Sequence, residues 1–181
     1  GVTIWDSEHT EMPGSGGLYG HQSSTQSAII VPKPCNDHIY YVFTTGYWDE
    51  SEHGFNYSIV DMNLRSGLGD VVPGYRNVNL LPTEEATEKV TAIPHANGRD
   101  IWIVTHKYNS SDFLSYLLTS DGLSEPVSST IGSTLSASYH CKAGYLAFSA
   151  DGEYLANAVY KESDIDFELF RFDNTTGEVF E

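Results

Sequence analysis

Short apolar runs separated by turn residues recur along this chain, and the clearest set lies between residues 88 and 131. Its runs at 90–95, 100–107, 112–118 and 126–129 are joined by polar turns such as Asn97-Gly98. An Asn-Gly pair tolerates the positive φ angles of a two-residue hairpin turn. Similar sets lie upstream, at 28–31, 39–44, 55–62 and 70–72, and downstream, at 145–148, 154–160, 167–172 and 179–180. The pattern predicts three units, each an antiparallel sheet of four short strands, with almost no helix.

The three units repeat with a constant period. Gly67, Gly122 and Gly177 occupy similar turns and are 55 residues apart each time. Equal spacing of like turns is typical of repeat architectures. The repeat places the units at 26–72, 88–131 and 143–181, within one domain that covers residues 1–181.

The second run of two units indicates how the sheets pack. Residues 39–43 and 101–104 are apolar at consecutive positions. Both faces of these strands are therefore predicted to be buried, because a sheet with one wet face alternates apolar and polar residues. Small four-stranded sheets buried on both faces are typical of β-propeller blades. A β-sandwich is the alternative, but it does not explain three equal units. We predict an all-β, β-propeller-like fold.

The first residues predict part of a further unit. Residues 1–6 (GVTIWD) read as the third strand of a preceding blade, with 11–17 as its exit, so residues 1–17 form a partial blade. Three and a half blades are too few for a propeller, which has about four to eight. We therefore expect an open arc, or a fragment of a larger propeller, in which the first and last units do not touch. Remaining blades of a longer parent chain or a homo-oligomer would complete the ring.

The charge of the chain narrows the class of partner. Its 25 acidic and 9 basic residues give a formal net charge of −16. Such a surface repels phosphate backbones and anionic lipid. We expect no nucleic-acid partner, and since no apolar run reaches the length of a membrane span, no membrane insertion.

No motif in the sequence indicates a catalytic, metal or cofactor site. The seven histidines form no HExxH pair, and there is no GxSxG elbow and no glycine-rich phosphate loop. His95 and His106 are expected at opposite rims, each capping a strand by hydrogen bonds. Two cysteines cannot supply a four-ligand zinc site. Cys35 and Cys141 fall on opposite rims in the predicted topology, so both thiols are expected to be free.

Long loops gather on one rim of the predicted blades. They lie at 18–27, 45–54, 73–88, 107–111 and 130–142, whereas the opposite rim has only tight turns. Binding sites favour long loops on rigid scaffolds, and aromatic side chains among polar loops suit contact with carbohydrate or protein. The candidate ligand-binding residues on this long-loop rim are His21, Tyr47, Trp48, His53, Tyr108, Tyr139 and His140. Alternatively, Tyr47 and Trp48 pack down on the edge of a blade.

Three stretches carry a resemblance to a family. Residues 23–34 (SSTQSAIIVPKP), followed by IYYVFTT, and residues 88–108 resemble the propeller regions of large secreted bacterial proteins. Those proteins often carry a gliding-motility-associated C-terminal sorting domain. Residues 145–160 (YLAFSADGEYLANAVY) are similar to the WD40-like repeat FSPDGxxLA, with Ala150 where proline is usual. The resemblance implies a secreted or cell-surface location and offers no catalytic residues to carry over.

Two function classes follow from these observations. The first is a non-enzymatic binding or scaffold module of an exported or cell-surface protein, without a cofactor. The second is a propeller enzyme of lactonase or hydrolase-associated type, with acidic and histidine residues gathered at the mouth of the channel. Three or more carboxylate or imidazole groups within about 5 Å of one another at the channel would favour the enzyme.

Overall fold

A computed structural model describes residues 1–47, 53–136, 138–161 and 164–181, without the side chains of residues 139, 161, 164 and 165. Within these ranges the regular structure is almost entirely extended, and no α-helix occurs. The strands are β1 (Ala28–Pro32), β2 (Ile39–Thr45), β3 (Phe55–Asp61), β4 (Asp70–Val71), β5 (Val78–Leu81), β6 (Ala86–Pro94), β7 (Ile101–Lys107), β8 (Asp112–Thr119), β9 (Gly122–Leu123), β10 (Val127–Thr130), β11 (Gly144–Phe148), β12 (Tyr154–Lys161), β13 (Asp164–Asp173) and β14 (Glu178–Phe180). Short 3₁₀ turns lie at Pro13–Ser15, Leu64–Gly67 and Tyr139–Lys142.

The strands form three antiparallel sheets, one for each predicted unit. Sheet 1 has the order β1-β2-β3-β4, sheet 2 the order β6-β7-β8-β10, and sheet 3 the order β11-β12-β13-β14. Two additional strands share an outer edge with the fourth strand of their sheet: β5 pairs with β3 beside β4, and β9 pairs with β8 beside β10. The predicted all-β class and the three antiparallel meanders are confirmed.

Residues 73–88, which the sequence predicts to be a loop or an edge segment, contain strand residues at two places. β5 occupies 78–81, and β6 already begins at Ala86. The two-residue β4 pairs only with Val60 and Asp61, which leaves the other end of β3 without a neighbour. β5 fills that edge and satisfies its backbone groups, opposite Phe55 and Tyr57 among others.

The sheets stack face to face with sheet 2 in the middle. Ile103 of β7 belongs to the apolar cluster between sheets 1 and 2, and its neighbours Trp102 and Val104 belong to the cluster between sheets 2 and 3. Successive residues of a strand point to opposite faces, so this division places sheet 2 between two cores. The predicted burial of both faces is confirmed for β7.

Residues 1–17 cover part of the free face of sheet 1 but do not form the predicted strand. Their extended pairing is limited to one isolated bridge between Trp5 and Glu11. The backbone N–H of Ile4 donates to the Ser15 hydroxyl at 3.0 Å, so a side chain replaces a strand neighbour there. Met12 and Ile4 pack against an apolar cluster of sheet 1 that includes Val42. The prediction of a strand at residues 1–6 is therefore wrong.

The first strands of the three sheets lie side by side, and Gln26 joins them. Its Oε1 accepts hydrogen bonds from the backbone of Val90 on β6 at 3.2 Å and of Leu146 on β11 at 2.8 Å. Its Nε2 donates to the Leu146 carbonyl at 3.0 Å. The loop before β1 thus touches sheet 3. The expectation of an open arc, in which residues 1–17 and the last unit do not touch, stays a prediction.

The two thiols have opposite accessibility. Cys35 is exposed, Cys141 is buried, and neither forms a disulfide, as the sequence predicted. We expect a thiol reagent to titrate one equivalent in the native protein and the second only after unfolding in denaturant without reductant. Two fast equivalents in the native state would contradict the burial of Cys141.

Candidate functional site

Two stacked histidine–tyrosine pairs join the loops of the long-loop rim. The rings of His21 and Tyr47 stack with centroids 4.8 Å apart. The rings of Tyr19 and His53 stack in the same way at 4.7 Å. Each pair connects the loop at 18–27 to the loop at 45–54. The sequence predicted His21, Tyr47 and His53 as candidate ligand contacts. The structure stacks His21 on Tyr47, whereas His53 stacks on a tyrosine that the sequence did not single out.

The sequence predicted Tyr108 to be exposed on the long-loop rim, and that prediction is wrong. It is buried in a small cluster with Leu135, Cys141 and Val159. The Lys142 ammonium lies 4.8 Å from the centroid of its ring, a cation–π contact. Tyr108 therefore supports the base of the rim.

The remaining predicted site residues are spread along the rim. His140 is exposed, and its ring meets the edge of the Tyr160 ring at 5.9 Å. Tyr139 lies in the 3₁₀ turn at residues 139–142, and its side chain is outside the described part of the chain. Trp48 lies outside the described residues altogether.

The floor of the rim holds a buried carboxylate and a buried ammonium. Glu88 Oε2 accepts hydrogen bonds from the backbone N–H of Thr25 at 2.8 Å and from its hydroxyl at 3.1 Å. Lys142 Nζ donates to the Thr83 carbonyl at 2.7 Å, and burial lowers the pKa of this amine. The cavity between Tyr47, Glu88 and Lys142 has a volume of about 10 Å³, roughly enough for one water molecule.

A second set of polar side chains forms hydrogen bonds across the interface between sheets 2 and 3. Lys89 on β6 is fully buried, and its Nζ donates to Asn157 Oδ1 at 2.8 Å. Asn157 Nδ2 donates to Glu168 Oε2 at 2.9 Å, and the backbone of Ser133 donates to Glu168 Oε1 at 2.8 Å. Burial lowers the pKa of Lys89 to about 8, against the opposing charge of Glu168. We refer to Lys89, Asn157 and Glu168 as the buried bridge.

Gly144 makes room for the buried bridge. Its φ of +139° is in a region that L side chains rarely adopt. A Cβ atom there would lie 2.6 Å from Lys89 Cε and 2.2 Å from the Ala158 carbonyl oxygen. Glycine at this position allows the lysine stem to pass beneath β11.

His106 lies beside the buried bridge as a neutral imidazole. It is fully buried, its Nδ1 hydrogen-bonds to the Lys107 carbonyl oxygen at 2.7 Å, and its ring contacts the Phe113 ring at 4.5 Å. Nε2 has no hydrogen-bond partner within the described residues. Burial first, and the charge of Lys89 second, lower the pKa of His106 to about 4. His95 lies at the other end of the β6–β7 hairpin, as predicted.

The sequence did not indicate that His106 and the residues of the buried bridge would lie in the core between the sheets. The chemical types would serve an acid–base site, but Lys89, His106 and Asn157 are fully buried and have no surface open to a substrate. Across the described ranges, no three His, Cys, Asp or Glu side chains lie together as metal ligands. In the same ranges, no helix is long and apolar enough to cross a membrane.

The most exposed apolar surface lies on sheet 3, on the side that faces away from sheet 2. Phe167 and Leu169 of β13 are 76% and 67% exposed, whereas Phe170 and Phe172 of the same strand are buried against sheet 2. Strand pairing places more residues on the exposed side. This sheet 3 outer face consists of Tyr145, Ala147, Tyr154, Ala156, Ala158, Tyr160, Phe167, Leu169, Arg171, Asp173, Glu178 and Phe180.

The sequence contained a signal for this face. Residues 167–172 (FELFRF) are apolar at both odd and even positions, the pattern that predicts two buried faces. One of those faces is buried, and within the described residues the other is open. This open face distinguishes sheet 3 from sheet 2.

No protein-family model matches this sequence, and no curated protein does either. The functional assignment therefore depends on the geometry of the chain itself. Two surfaces are candidates for the binding site: the long-loop rim and the sheet 3 outer face.

Proposed function

We propose that this chain is a non-enzymatic scaffold module that binds a protein partner through the sheet 3 outer face. We further infer that its three sheets are blades of a β-propeller-like arc in an exported or cell-surface protein. The arc is supported by the repeat and by the neighbouring first strands, and the location by the resemblance to secreted bacterial proteins. The observation that carries the binding function is the exposure of Phe167 and Leu169.

The equivalent positions in the other two sheets are covered. Phe55 on the third strand of sheet 1 and Phe113 on the third strand of sheet 2 are fully buried, each by contact with the next sheet. Burying a side chain such as Phe167 or Leu169 contributes about 1.5–3 kcal/mol. A large contiguous apolar face on a folded protein is typical of an interaction surface. These comparisons support contact with a protein.

The long-loop rim has weaker support as a binding site. Its histidine and tyrosine rings already stack in pairs, and the cavity beneath them has room for about one water molecule. The enzyme alternative is also less well supported, since Lys89 and Asn157 of the buried bridge are fully buried and have no surface open to a substrate. The net charge of −16 supports a partner other than nucleic acid.

Photo-crosslinking separates the two surfaces. A benzophenone amino acid at position 167 reports on the sheet 3 outer face, and the same group at position 47 reports on the rim. In an extract of the source cells we expect a protein adduct from position 167 and none from position 47. Adducts from position 47 alone would move the binding function back to the rim.

Substitutions on the two sides of β13 test whether the sheet 3 outer face is free in the folded chain. We expect F167S together with L169S to change the free energy of unfolding by less than about 0.5 kcal/mol, because both side chains lie in solvent. The matched control, F170S, removes a buried ring and is expected to cost about 3–5 kcal/mol. Urea unfolding of the dilute, monomeric protein measures both. A large loss in the double variant would show that another part of the chain covers this face.

A further inference from the structure

We propose that the partner on the sheet 3 outer face is sheet 1 of a second copy of this chain, so that copies join head to tail. This inference rests on the proposed function and names the occupant of the same surface. Two observations carry it: the packing step that the chain repeats, and an apolar groove at its other end.

The chain uses one packing step twice. Sheet 1 presents Phe43 and Phe55 to sheet 2, and sheet 2 presents Trp102 and Phe113 to sheet 3. Sheet 3 presents Phe167 in the corresponding direction, at a corresponding position on its third strand. A third step of the same kind requires another antiparallel sheet with an apolar face, and sheet 1 of a second copy is such a sheet.

The outer side of sheet 1 provides the matching surface. A groove of about 270 Å³ lies there between residues 1–17 and the sheet, and Trp5, Met12, Ile30 and Tyr40 line part of it. Trp5 is 62% exposed and Ile30 is 63% exposed. Aromatic side chains projecting from one end of the molecule thus meet an open apolar groove at the other end. Contacts between two different surfaces of identical subunits build rings or filaments.

The charges determine how association responds to salt. Arg171 and Glu178 are exposed on the sheet 3 outer face, and Glu11 is exposed beside Trp5. The net charge of −16 on each copy opposes any association. Salt screens that repulsion, so association is expected to strengthen with ionic strength.

Complementation between two variants tests the proposal by sedimentation velocity at 150 mM and 500 mM NaCl. Variant A carries F167S and L169S and keeps an intact sheet 1 groove. Variant B carries W5S and I30S and keeps an intact sheet 3 outer face. We expect the wild-type chain to associate as its concentration rises, and more strongly at the higher salt. Each variant alone should lose at least about tenfold in its association constant, and an equimolar mixture should form a 1:1 dimer and nothing larger.

Each remaining outcome contradicts the proposal in a distinct way. Circular dichroism first confirms that both variants are folded, and Y75S, at an exposed tyrosine outside both surfaces, is the control expected to associate like the wild type. If variant B still dimerises while variant A does not, two sheet 3 faces meet each other. If the wild type stays monomeric at every concentration and salt, the second copy is not the partner. A heterologous adduct from position 167 would then leave the proposed binding function standing.

Discussion

Asn157→Leu is expected to lower the free energy of unfolding by about 3–5 kcal/mol, although leucine is apolar and similar in size to asparagine. Asn157 Oδ1 accepts the hydrogen bond of Lys89 Nζ, and both residues are fully buried. Without that oxygen the ammonium remains buried with its acceptor removed. Breaking a buried polar pair from one side therefore costs far more than the pair itself contributes. Urea unfolding at pH 7 measures the loss.

A second substitution identifies the origin of that loss. We expect Lys89→Met combined with Asn157→Leu to recover most of the stability, because neither a buried charge nor its acceptor then remains at this position. If Asn157→Leu alone is as stable as the wild type, the buried bridge does not hold sheets 2 and 3 together. If the double variant is no more stable than the single one, the loss comes from packing.

Acid is expected to destabilise the protein through His106 by roughly 3 kcal/mol. The pKa of His106 is about 4 in the folded chain, lowered from 6.5 mainly by burial. Above pH 6.5 the imidazole is neutral in both states and contributes no pH dependence. As the pH falls from 6.5 to 4, the unfolded chain binds a proton that the folded chain excludes, so stability is lost across this window.

The variant His106→Gln isolates this effect, since glutamine does not titrate. We expect the difference in unfolding free energy between wild type and variant to be constant from pH 7 to 8. As the pH falls from 6.5 to 4, the unfolding free energy of the wild type should decrease by roughly 3 kcal/mol relative to that of the variant. The other charges near the imidazole are Lys89, Glu168 and Asp112, and all three are retained in the variant. A difference that stays constant down to pH 4 would mean that His106 takes up its proton in the folded state.

The strands could be predicted because their signals are local. Alternating or continuous apolar runs located β7 and β12, and Asn97-Gly98 marked the turn before β7. β5 could not be predicted because its pairing depends on how short β4 is. Residues 1–6 have a strand-like composition, but a hydroxyl group supplies the hydrogen bond that a strand partner would otherwise make.

The candidate site was harder to predict because it depends on which surfaces meet. Loop lengths correctly brought His21 and Tyr47 onto one rim, but the stacking of their rings is a tertiary contact. Lys89 and Glu168 look like solvated charges in the sequence, and only their meeting at Asn157 makes them parts of a core. The apolar pattern of β13 indicated two buried faces, and only the structure shows that one face has no cover within the described chain.

Hydroxyl-radical footprinting of β13 tests the central claim most directly. In the dilute protein we expect Phe167 and Leu169 to be oxidised many times faster than Phe170 and Phe172, since the first two side chains are exposed and the others are buried. At concentrations where association is complete, Phe167 and Leu169 should become protected while the rate at exposed Tyr75 stays unchanged. Slow oxidation of all four β13 residues in the dilute protein would contradict the existence of an open apolar face on sheet 3.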